Sequence, residues 1–210
     1  MTKVVVTQRL DYIVEYGEIR ESIDEKLSEW LIKSGFLPIP ISNKLISNDD
    51  STDIKKTNIY KWLSSVKPNA ILLSGGNDIG QYLERDKTEK FLLDWAMKFK
   101  LPVLGICRGM QFMSKYFGAN LIKVSGHVNS INRLISFNTD IQFPSNVTCF
   151  HNYSIEKCPK EFEVLVKCED GTIEAIKHKK LPWEGWMWHP ERKPNYNKLN
   201  NQNIIRLFSF

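Results

Sequence analysis

The sequence predicts an α/β fold with a largely parallel central sheet, helices on both faces and a small antiparallel β extension in the C-terminal third. Three observations carry this reading. Short apolar runs alternate with helically periodic segments through the first half of the chain. Two of these runs, in LLSGGND and LGICRG, end in glycine-bearing turns. Later, an Asp-Gly pair divides VLVKCEDGTIEAIKH into two strand-like halves, a strong hairpin signal.

Taken in order, Lys3 to Thr7 is a β-branched first strand. Ile19, Ile23, Leu27, Trp30 and Leu31 recur at three- and four-residue steps, so a helix is expected from Glu18 to Ser34, stopped by Gly35. FLPIPI returns as a strand, and residues 43 to 57, rich in polar residues, form an exposed connection to a short helix over Ile59 to Val66. AILLS is a buried strand leading to Gly75-Gly76. A helix over Thr88 to Lys100 presents Phe91, Leu92, Trp95, Ala96 and Phe99, and VLGI is the next strand before another helix. Trp183 to Trp188 reads as a strand and Asn200 to Phe208 as a closing helix.

With 210 residues, 42% of them hydrophobic and 25% charged, the chain suits one globular domain spanning 1–210. The N-terminal apolar stretch is too brief for a signal peptide, and nowhere do about 18 apolar residues run together, so a cytoplasmic protein without membrane association is expected. A net charge of +5 without a basic run gives no reason to expect nucleic acid. The four cysteines do not make a disulfide framework. Cys149 and His151 lack the companion spacing of a structural zinc site, so neither metal nor cofactor is expected.

The chemistry gathers on Cys107. It stands between a strand and a helix, flanked by Gly105 and Gly109, in a G-x-C-x-G version of the nucleophile elbow. A thiol at a helix N-terminus ionises more readily, because unpaired amides face the sulfur. The Arg108 amide is one oxyanion donor, and Gly76, with Gly75, is expected to supply the second from the neighbouring strand end. His189 and Glu191 in WMWHPER are two apart, so an extended segment would project both to one side. That spacing predicts a Cys107-His189-Glu191 triad. Gln111, one turn along from Cys107, and His151 are candidate substrate-binding residues. Arg85, Asp86 and Glu89 read as a local ion-pair cluster, and His127 has no assigned role.

GICRGMQ, SGGND and WHPE together resemble the class I glutamine amidotransferase domain. RDKTE at 85–89, DGTIEAI at 170–176 and VTCFHNYSI at 147–155 resemble its γ-glutamyl hydrolase branch, the peptidase C26 group. The resemblance runs from about Val4 to Arg192. It implies a flavodoxin-like sheet, cleavage of a γ-glutamyl amide through a γ-glutamyl thioester, and the same triad. Relatives often carry VNSxHHQ where this chain has VTCFHNY, which points to altered substrate recognition. The expected substrate is a small γ-glutamylated amine or amidate, nucleotide-linked ones included. Lys177, Lys179, Lys180 and Trp183 could serve a nucleotide, although solvated charge and core packing are the roles that their pattern favours. The alternatives are a glutaminase subunit that passes ammonia to a synthetase partner, and a non-catalytic binding protein on the same fold.

Overall fold

The computed structural model describes residues 1–46, 54–137, 140–192 and 197–209. β1 (Thr2–Thr7) is the expected first strand. The chain then departs from the expected helix: β2 (Arg9–Ile13) and β3 (Glu18–Ser22) pair as an antiparallel hairpin. Helix α1 covers Glu25–Lys33 instead, because Asp24 caps it by accepting from the Lys26 N–H at 3.0 Å. Ile19 keeps step with Ile23 and Leu27 in spacing only; it lies in the hairpin and is 58% exposed.

β4 (Phe36–Ile41) and α2 (Asn58–Val66) follow as expected, the helix capped by Thr57. The connection expected over 43 to 57 contains two short 3-10 turns, Asn43–Leu45 and Ile54–Lys56; its residues 47–53 lie outside the described residues. After β5 (Ala70–Leu73), α3 runs over Leu83–Phe99 and so begins well before Thr88. Its early buried positions are Arg85 and Glu89, so an apolar period could not reveal them. β6 (Val103–Ile106) leads into α4 (Arg108–Tyr116).

Next come β7 (Leu121–Lys123), β8 (Val128–Ser136), β9 (Asn146–Phe150) and β10 (Tyr153–Ile155). β8 is mostly exposed, which removes the alternation that would have announced it. β11 (Phe162–Cys168) and β12 (Ile173–His178) form the expected hairpin, with Gly171 at φ +88°. β13 is Trp183–Trp186, shorter than expected, and α5 spans Lys198–Phe208.

Among the described residues, nine strands make one sheet in the order β4-β1-β5-β6-β13-β12-β11-β8-β9. The pairings from β4 to β13 are parallel, and those from β13 outward are antiparallel. In chain order the parallel strands read 2-1-3-4-5, the flavodoxin-like arrangement, whose ligand crevice opens at the carboxyl ends of the strands. Alternation along β1 divides the core. Val4 and Val6 pack with Trp30 of α1 and Leu207 and Phe208 of α5, whereas Val5 joins Leu63, Leu92 and Met113 from α2, α3 and α4.

Trp183 belongs to this core: it is wholly buried and its indole N–H donates to the Leu101 carbonyl at 3.0 Å. It starts β13, at the amino edge of the parallel strands, opposite the end that carries Cys107. A nucleotide stacked on Trp183 near Lys177, Lys179 and Lys180 would therefore lie on the wrong edge of the sheet. Among the described residues, no helix is long and apolar enough to cross a membrane.

Candidate active site

β6 ends at Ile106, and the next residue bends the chain abruptly: Cys107 has φ 50° and ψ −109°. For a side chain with a Cβ this costs on the order of 1–3 kcal/mol and persists only where surrounding contacts impose it. Two backbone bonds do so. The Cys107 N–H donates to the Trp186 carbonyl at 2.8 Å, and its carbonyl accepts from the Gln111 N–H at 3.1 Å. The flanking glycines let α4 lie directly on the sheet: a Cβ on Gly105 would come 2.7 Å from the Gly109 backbone. The thiol itself is 7% exposed.

The turn after β13 delivers the other two groups. Pro190 and Glu191 lie in a turn closed by the Arg192 N–H donating to the His189 carbonyl at 3.2 Å. The segment is thus not extended as expected, yet the turn brings His189 Nδ1 to 2.7 Å from Glu191 Oε1. That contact leaves Nε2 for the sulfur side. A Cβ built on Gly75 would lie 3.2 Å from His189 Nε2 and 3.7 Å from Cys107 Cβ, so both groups border the same glycine, and they interact directly through a side-chain hydrogen bond.

The electrostatics are those of an ion pair. Burial opposes ionisation of Cys107, but His189 and the Arg108 amide outweigh it and hold the thiol below its ordinary pKa. Burial likewise disfavours the His189 cation, and Cys107 with Glu191 overcomes this, raising its pKa to about 9.

Gly76 sits at φ +106°, a conformation that glycine alone adopts easily. The preceding peptide is held from behind: Arg85 Nη2 donates to Gly75 O at 2.9 Å and to Ser74 O at 2.8 Å. A trans peptide points its N–H opposite its carbonyl, so Arg85 aims the Gly76 amide away from itself. Arg85 also pairs with Glu89 at 3.0 Å, both wholly buried, and Arg108 contacts Glu89 and Asp86. The ion-pair cluster read from the sequence is therefore a buried brace joining the glycine turn to the helix of Cys107. In addition, Phe112 lies under the Arg108 guanidinium, 5.2 Å from its ring centroid.

Gln111 donates Nε2 to the Tyr153 carbonyl at 2.9 Å, so its amide N–H fastens β10 to α4. His151 is buried and close enough to Cys107 to influence its ionisation, but Nδ1 is 3.1 Å from Tyr153 O and Nε2 is 3.2 Å from Glu174 Oε1. Two arginines escaped the sequence reading. Arg9, ion-paired with Asp11, and Arg192, ion-paired with Asp24, line a crevice with Ser22, Gly76 and His189. His127 and Glu174 also meet beside His151, from segments far apart in the chain.

An elbow cysteine, an imidazole backed by a carboxylate, and a glycine turn at the carboxyl edge of a parallel sheet define an α/β protein of the nucleophile-elbow class. The chain belongs to the class I glutamine amidotransferase family, which matches residues 19–207. It is 34% identical over 210 residues to γ-glutamyl-CDP-amidate hydrolase of Campylobacter jejuni, covering 96% of this chain and 94% of that one. To a glutamine-hydrolysing GMP synthase subunit of Methanocaldococcus jannaschii it is 28% identical over 158 residues, or 73% of this chain and 77% of that one. The crystal structure of a Thermoplasma acidophilum protein, described as one subunit of GMP synthase, shares the fold, with a TM-score of 0.68 and 21% identity over 100% of this chain and 94% of that one.

Proposed function

We propose that this protein hydrolyses a γ-glutamyl amide with Cys107 as nucleophile, and that its substrate is γ-glutamyl-CDP-amidate, giving glutamate and cytidine diphosphoramidate for capsular phosphoramidate synthesis. The observation that carries the chemistry is the buried Cys107-His189-Glu191 set beside Gly75-Gly76. The substrate reading is supported by the near full-length likeness to the Campylobacter jejuni hydrolase. Arg9 and Arg192 beside the triad suit an anionic leaving group such as a diphosphoramidate.

In this reaction Cys107 Sγ attacks the γ-carbonyl carbon. The resulting oxyanion takes hydrogen bonds from the Gly76 and Arg108 amides. His189 Nε2–H protonates the departing nitrogen while Glu191 holds Nδ1, and collapse leaves a γ-glutamyl thioester. Water, giving a proton to His189 Nε2, then cleaves the thioester and frees glutamate.

The test is glutamate release from γ-glutamyl-CDP-amidate, glutamine, γ-glutamyl polyamines and folate polyglutamates by the purified protein. A strong preference for the first supports the full reading. Activity confined to glutamine, and only with an added synthetase, would instead make it an ammonia donor to that synthetase, as the GMP synthase relatives suggest.

The pKa directions set the expected pH profile. Cys107 ionises below its ordinary value and His189 stays protonated until about 9, so kcat/KM should plateau between those limits. It should fall at acid pH as the thiolate is lost, and above about pH 9 as the leaving nitrogen loses its proton donor. Glu191→Gln removes one group that raises the His189 pKa, so the alkaline limb should move to lower pH; an unmoved limb would argue against this pairing. Gly75→Ala should leave the fold intact but cut turnover about 10²-fold, because its Cβ would stand 2.6 Å from His189 Cε1 and push the ring away. A steady-state assay alongside a melting curve checks both halves.

A further inference from the structure

The cluster around Glu174 supplies no reacting group in the proposed reaction, although its His151 is close enough to Cys107 to influence the thiol's ionisation. His127 precedes β8, Cys149 lies on β9, His151 follows β9, and Glu174 lies on β12; all four are buried, with candidate ligand atoms within 4.8 Å of one another. Cys149 and His151 are two apart, so the strand projects both to one side. His151 Nε2 and Glu174 Oε1 approach to 3.2 Å, yet among the described residues neither atom has a hydrogen-bond partner. A buried imidazole nitrogen and carboxylate oxygen at this distance need a positive charge between them, either a proton on His151 or a metal ion that takes its place.

The outer contacts of both rings supply direction. His151 Nδ1 is 3.1 Å from the Tyr153 carbonyl, which accepts its N–H and turns Nε2 toward Glu174. His127 Nε2 is 2.8 Å from Asp170 Oδ2, and its Nδ1 lies 3.5 Å from Glu174 Oε1. In each case one ring nitrogen donates outward to a carbonyl or carboxylate while the other faces the same interior point. Metal-bound histidines are oriented in this way. The Asn132 amide now reaches His127 Nδ1 at 3.0 Å and would have to yield that position. Cys149 Sγ is 3.8 Å from Glu174 Oε2.

We propose that His127, Cys149, His151 and Glu174 form a binding site for a zinc ion. Nitrogen, thiolate and carboxylate are zinc's ordinary ligands, and four protein donors complete a tetrahedron with no position left for water, which makes the site structural. Binding forms two Zn–N bonds, one Zn–S bond and one Zn–O bond, and releases the Cys149 thiol proton together with any proton on the ligating nitrogens of His127 and His151. A hydrogen bond from the Cys168 thiol favours the Cys149 thiolate. The ion would tie β9, β12 and the segment entering β8 into one wall behind Cys107. The inference stands apart from the identity of the substrate.

Protein produced without an affinity tag and purified without chelators is expected to retain one zinc per chain by elemental analysis. Apoprotein should take up Co²⁺ with a thiolate-to-metal charge-transfer band that Cys149→Ser abolishes. Asp170→Asn, which touches no metal, should weaken Zn²⁺ binding about 10–100-fold in competition with a chromogenic chelator. Zn²⁺ should raise the melting temperature of the wild-type protein and leave that of Cys149→Ser unmoved. Zinc-free protein that takes up neither ion, or zinc bound equally well by Cys149→Ser and His127→Ala, would overturn the site.

Discussion

Replacing Cys107 with alanine is expected to reduce glutamate release on the order of 10⁴-fold or more, because the proposed reaction passes through an acyl group on its sulfur. The loss should be in chemistry rather than folding. The side chain is small, and the bonds that impose its backbone conformation are made by main-chain atoms, so they survive the substitution. The melting temperature should shift modestly, since alanine also meets the cost of φ 50°. Acid quenching of the wild-type enzyme during turnover, followed by intact-mass measurement, should catch a γ-glutamyl adduct absent from the variant. Near-normal turnover by Cys107→Ala, or an adduct on another residue, would remove the nucleophile from this account.

Gly109→Ala is expected to be the most damaging single methyl group in the molecule. Its Cβ would lie 2.1 Å from the Leu73 carbonyl oxygen, 2.7 Å from the Leu73 carbonyl carbon and 2.8 Å from Leu73 Cβ. Two of these obstacles are backbone atoms of the buried β5, which cannot rotate aside as a side chain would. Helix α4 must lift from the sheet, and forced overpacking of this kind costs about 3 kcal/mol or more. For a chain of this length that lowers Tm by roughly 6–12 °C. Gly118→Ala is the control: its φ is +84° with nothing within 4 Å, so only a conformational penalty of about 1–2 kcal/mol applies. Thermal melts showing Gly109→Ala no worse than Gly118→Ala would contradict the close helix-sheet contact.

What the sequence reveals, and what it hides, follows from the range of each signal. KVVVT, AILLSGG and VLGICRG become buried strands and their turns because β-branching, apolar brevity and glycine are local properties. The Asp170-Gly171 hairpin is equally local. The β2–β3 hairpin is not: Ile19 supplies a helical spacing by coincidence, and the Asp24 cap decides where α1 starts. The start of α3 is hidden because the residues buried there are charged, and only their partners, Gly75 and Arg108, explain why. At the site, Cys107, His189 and Glu191 are legible from elbow chemistry and a two-residue step, although the step is taken by a turn rather than a strand. Arg9 and His127 carry no local mark, and Arg192 and Glu174, though they lie within WMWHPER and DGTIEAI, acquire a partner only through what the fold sets beside them.

The brace formed by Arg85, Glu89 and Arg108 makes the two halves of the proposed anion cradle share a fate. The Glu89 carboxylate is shared by two guanidiniums, one gripping the glycine turn and the other, also paired with Asp86, issuing from the residue that follows the sulfur. The spacing of the two amides is therefore gauged from the dry interior, out of reach of solvent and ligand alike. Neither arm can wander without leaving like charges face to face in a medium that screens them poorly. Such a cradle greets every incoming carbonyl already set to one aperture.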